Sequence, residues 1–81
     1  MLNIPQKHNK KNNISGKNIK KIRKDKHLNQ GELATKLQLN GISMTPSTIS
    51  KIESQSRMVT DKELLAFSKV LGTGTQKLVE K

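Results

Sequence analysis

Cysteine is absent from the chain. That excludes a disulfide framework and any zinc site built on thiolates, and a small domain without covalent staples fits the reducing cytoplasm. Aromatic side chains are almost as scarce, with Phe67 the sole example. Single-stranded nucleic acid is held by stacking bases on exposed rings, so one phenylalanine on the inner side of a helix argues against that partner. No apolar run approaches the roughly 18 residues of a membrane span, and the N-terminus lacks the apolar block of a signal peptide. Ile19 and Ile22 are too few to lay the first helix on a membrane surface. The histidines, His8 and His27, have neither metal-ligand spacing nor a paired carboxylate motif. Gly72-Thr73-Gly74-Thr75 resembles a phosphate loop only loosely, since it follows a helix and lacks the lysine. No catalytic residue, metal, cofactor or small-molecule ligand is therefore expected.

Acidic residues are scarce as well. Six stand against sixteen lysines and arginines, for a net charge of +10 in 81 residues. The surplus is lopsided: residues 1–27 hold nine basic side chains and only Asp25 as counter-charge. A positive field of this kind raises encounter rates with polyanions. A basic, merely solvated surface is the other reading of charge alone.

Along the chain, residues 1–14 (MLNIPQKHNKKNNI) are rich in Asn and Lys with little to bury, and read as a disordered basic arm. Such an arm is a solvated tail or trails along a phosphate backbone. Residues 15–81 read as one small all-helical domain. The first helix runs from about Ser15 to about His27, with Ile19, Ile22, Arg23 and Lys26 on its inward stripe. A guanidinium on an apolar stripe needs an anionic partner, or must snorkel to water. Asn29 with Glu32 is a capping box opening the second helix, with Leu28 and Leu33 as its hydrophobic staple. Leu33, Ala34 and Leu37 form the inward face, Asn40-Gly41 the stop, and Ile42 folds back. Thr60 with Glu63 is a second capping box. It opens a helix lined by Leu64, Phe67, Val70 and Leu71 and ended by Gly72, after which residues 75–79 form a short helix docking Leu78.

Between these lies Thr45-Pro46-Ser47-Thr48-Ile49-Ser50-Lys51-Ile52-Glu53-Ser54. Thr45 is a good N-cap and Pro46 suits the first turn. Ile49, Ile52 and Glu53 share one face, while Ser47, Ser50, Lys51 and Ser54 occupy the other. Glu53 is thus a carboxylate on an inward face, the mirror of Arg23. Their pairing is the simplest resolution of both.

Two capped helices joined by a turn, the second polar outside, make a helix-turn-helix candidate. Gln30-x-Glu32-Leu33-Ala34, then Ser47-Thr48-Ile49-Ser50-Lys51-Ile52-Glu53, then residues 60–71, resemble the Cro/repressor (XRE) family. The resemblance implies a compact five-helix bundle of the lambda-repressor-like type, binding double-stranded operator DNA as a homodimer with the second motif helix in the major groove. Carried over by position, it implies base contacts from Thr45, Ser47, Thr48 and Lys51. Phosphate contacts fall on Asn29, Gln30, Ser50 and Arg57, and the structural ion pair on Arg23 and Glu53. Lys51 suits guanine O6 or N7, and the hydroxyls suit either base edge. The one departure is length: Ala34 and Ile49 stand about five positions farther apart than in the usual motif, whose turn has ~3–4 residues. The excess is assigned to an extra turn of the second helix and the Gly41 loop. A different class of function stays open on the same scaffold, a module that binds another regulator or a toxin and has little DNA specificity.

Overall fold

The computed structural model describes residues 14–80. All but the last residue of the expected N-terminal arm lies outside them. Five helices follow in order: α1 Ser15–Asp25, α2 Gln30–Leu39, α3 Pro46–Glu53, α4 Asp61–Leu71 and α5 Thr75–Leu78. No strand occurs among the described residues.

Each start has a local cause. The Asn29 side chain accepts from Glu32 N while the Glu32 carboxylate accepts from Asn29 N, and Thr60 with Glu63 repeats the arrangement. Thr45 caps α3 through Thr48 N, with Pro46 in the first turn. α1 and α5 start without such help, since neither Ile14 nor Gly74 makes a side-chain cap bond.

The ends of α1 to α4 share one pattern. At α1 the left-handed residue is His27, with His27 N bonded to Lys24 O and Leu28 N to Arg23 O. Gly41 repeats this after α2, Gln55 after α3 and Gly72 after α4. Such 5→2 and 6→1 bonds satisfy the last carbonyls of a helix. Because the backbone reverses there, α1 stops at Asp25, short of the expected His27. Lys26 therefore leaves the inward stripe and is exposed.

Ile19, Leu33, Leu37, Ile49, Ile52, Ala66, Phe67, Leu71 and Leu78 form one buried core drawn from all five helices. Leu28, Ala34, Ile42, Met44 and Val70 pack at its edge. Burying a side chain such as Phe67 or Leu33 contributes roughly 1.5–3 kcal/mol, and the summed core must offset the ordering of a short chain. Asn18 Nδ2 donates to both Leu78 O and Glu80 O, at 2.8 Å each, tying the C-terminal turn to α1.

Residues 40–45 connect α2 to α3 and exceed the usual turn length. Leu39 extends α2 past its last buried residue, Leu37. Ile42 N bonds Leu37 O at 3.0 Å, so the loop folds back onto the helix it leaves. Met44 is partly buried against the core just before the Thr45 cap. The longer connection is thereby pinned at both ends.

Candidate nucleic-acid interface

α3 divides cleanly between two environments. Ile49, Ile52 and Glu53 are buried, whereas Ser47, Ser50, Lys51 and Ser54 are exposed. Eight residues span only about 12 Å, too short a helix to persist alone. Its apolar residues and one carboxylate fasten it to the rest of the domain.

The fastening is a charged fork. Arg23 Nε donates to Glu53 Oε2 at 2.7 Å and Arg23 Nη2 to Glu53 Oε1 at 3.1 Å. Arg23 Nη1 donates to Leu28 O at 2.7 Å, and Gln30 Nε2 donates to Glu53 Oε1 at 3.0 Å. The Arg23 and Glu53 side chains are 9% and 3% exposed, so neither is solvated enough to stand unpaired. One carboxylate on α3 thus gathers α1 and the first residue of α2. Gln30, expected on a phosphate, has its amide nitrogen turned inward to this carboxylate.

On the outer face the hydroxyls are not equivalent. Thr45 Oγ1 accepts from Thr48 N and shares a hydrogen bond with Thr48 Oγ1, both at 3.1 Å. Those two are occupied with the cap, and Thr48 is half-buried. Ser54 donates to Lys51 O and meets Ser56. Ser47, Ser50 and Lys51 have no side-chain partner among the described residues. They are the open donors and acceptors of the face. Among the residues expected at bases, the structure brings Thr45, Ser47, Thr48 and Lys51 onto one short helix and its cap. Asn29 is exposed at the start of α2, with its side chain closing the capping box.

Arg57 follows α3 in the loop, where the sequence puts it, but it carries an ion pair that the sequence does not announce. Its Nη1 and Nη2 donate to the two Glu63 oxygens at 3.0 Å each, and Nη1 also reaches Met58 O. Glu63 therefore serves two partners, the Thr60 cap and the arginine. The hydrogen bonds from Arg57 hold the Glu63 carboxyl below its ordinary range, helped by Thr60 N–H and opposed by partial burial. A carboxylate four residues C-terminal to loop Met58–Val59 was the available clue, but its capping-box role already accounted for it.

Among the described residues, no group of His, Asp or Glu side chains is placed to hold a metal ion. No helix there is long and apolar enough to cross a membrane.

A profile of helix-turn-helix domains matches residues 19–78, most of the chain and nearly all of the described fold. The chain belongs to the XRE-type helix-turn-helix family. Searches of curated proteins and of solved structures returned no match. The XRE-type domain is a DNA-binding regulatory unit, and α2 and α3 are its two motif helices. The match begins at Ile19, the first core residue, and ends at Leu78, the last. Its partner class is double-stranded DNA.

Proposed function

We infer that this XRE-type chain is a transcriptional repressor that binds specific DNA sequences as a homodimer and reads the major groove with α3. The observation that carries this reading is the division of α3. Ser47, Ser50 and Lys51 stand open on one side while Ile49, Ile52 and Glu53 lock the other. Lys51 donates to guanine O6 or N7, and Ser47 pairs with either base edge. Thr45 and Thr48 spend their hydroxyls on each other, so their methyl groups are the parts offered to thymine methyls.

Asn29, Gln30, Ser50 and Arg57 are assigned to phosphates, contacts that fix register and carry no base information. With Gln30 Nε2 committed to Glu53, the Gln30 backbone N–H at the first position of α2 is the group left for an anion. A cytoplasmic location follows from the DNA partner.

Selection of bound sequences from a random duplex pool, followed by salt titration, tests the reading. The expected product is a two-fold symmetric motif with half-sites about 34–36 Å apart. Affinity should fall with salt at a log–log slope near −0.9 per neutralised phosphate. A module devoted to protein partners would enrich no sequence.

A further inference from the structure

α1 carries an electropositive face that the α3 reading does not use. Lys17, Lys20, Lys21 and Lys24 fall at i, i+3, i+4 and i+7 of one helix and therefore share one side. All four are exposed, while Ile19 and Arg23 on the other side are buried. Every acidic side chain of the sequence lies within residues 14–80. The ion pairs formed there engage Arg23 and Arg57. None of the four lysines has an ionic or hydrogen-bond partner among the described residues.

This arrangement works against the helix that bears it. Lys17–Lys21 and Lys20–Lys24 are like-charged pairs four apart, and Lys17–Lys20 and Lys21–Lys24 are like-charged pairs three apart. Each such pair is repulsive on a helix surface. Lys17 also sits in the first turn, at the positive end of the helix dipole, where α1 has no side-chain cap and no acid to compensate. Solubility calls for charge, but not for charge stacked in register on a weakly capped helix. An external polyanion removes the repulsion.

The stripe covers about 10 Å of helix axis, enough to follow roughly three phosphates of one DNA strand at ~3.4 Å axial spacing. Lysine ammoniums are point charges without a planar fork, which suits phosphate better than base-edge recognition. The same helix holds Arg23, the anchor of α3.

We propose that the Lys17–Lys20–Lys21–Lys24 stripe is a second, sequence-independent binding surface for duplex DNA phosphates, and that its occupancy stiffens α1 beneath the reading helix. The proposal rests on the chain being a duplex binder. The phosphates belong either to the flanks of the duplex that α3 reads or to a second duplex.

The test compares the full chain with K17Q/K20Q/K21Q/K24Q, glutamine keeping a similar helix propensity. Circular dichroism should show the variant folded and melting no lower than the parent. Its salt dependence of duplex binding should be shallower by about two to four units of log–log slope, with the selected sequence unchanged. K20Q/K24Q should lose about half as much. Amide exchange in α1 should slow when duplex is added to the parent and change less in the variant. Two duplex lengths separate the sources: a loss seen only with extended flanks assigns the stripe to the same duplex. Recovery of a second labelled duplex by DNA-bound protein assigns it to another. Equal slopes and affinities for parent and folded variants, with site preference intact, overturn this proposal alone. A parent chain that ignores duplex DNA overturns the functional reading along with it.

Discussion

Arg23 and Glu53 meet at 2.7 Å inside the domain, thirty positions apart in sequence. The first belongs to α1 and the second to α3, so the pair orients α3 against a helix to which the proposed function gives no base contact. Gln30 joins the same carboxylate from the start of α2. A neutral residue at position 53 would keep α3 apolar beneath but would lose this three-helix junction.

Glu53→Ala leaves the Arg23 guanidinium buried without its counter-charge. The expected loss is roughly 3–5 kcal/mol, comparable with the whole stability of many domains this small. Urea unfolding followed by circular dichroism should place the midpoint far below the parent's, or show a chain already unfolded. An unchanged midpoint would remove the pair from the account.

Gln30→Ala removes a donor to Glu53 but keeps the backbone N–H assigned to a phosphate. Stability should fall by about 1–2 kcal/mol, while affinity of the folded variant should stay close to the parent's on every duplex. Altered preference among sequences would show that Gln30 reads bases.

Glu63 titrates below its ordinary value because Arg57 donates to it. A carboxyl with a lowered folded pKa adds stability above its unfolded value, near 4.3, and loses it as pH falls through the folded value. Glu63→Gln should therefore melt lower than the parent at about pH 7. The gap should close as the pH is taken below about 4. A gap independent of pH would contradict the assignment of the shift to Arg57.

His27 adopts φ 59° and is exposed, a position glycine fills without steric cost. His27→Gly should raise stability by about 0.5–1 kcal/mol, the left-handed strain relieved outweighing the added freedom of the unfolded chain. Thermal melting checks it; a lower melting temperature would mean the His27 side chain makes a contact worth more than the strain.

The sequence makes legible what is written locally or as an oddity. Asn29 with Glu32 and Thr60 with Glu63 lie three apart and answer each other within one turn, so both helix starts were legible. Arg23 and Glu53 each break an apolar stripe, and two opposite breaks suggest one another across the interior. Helix ends were less legible, because a left-handed histidine or glutamine has no sequence mark of the kind Gly41 and Gly72 carry. For that reason the sequence pattern overextends α1 and puts Lys26 on the inward side. Arg57 was legible as a cation beyond α3, but its fork on Glu63 depends on how the loop returns to α4. Gln30's inward turn was hidden for the same reason, since only the packed helices bring it within 3.0 Å of Glu53.

Lys51→Ala tests the role of α3 most directly. Competition binding should compare a selected site with scrambled duplex, for parent and variant, at one salt concentration. Discrimination between the two duplexes should drop by about tenfold, the weight of one good base contact, while affinity for scrambled duplex changes much less. Equal losses on both duplexes would reduce Lys51 to a phosphate contact and leave the exposed side of α3 without a reader.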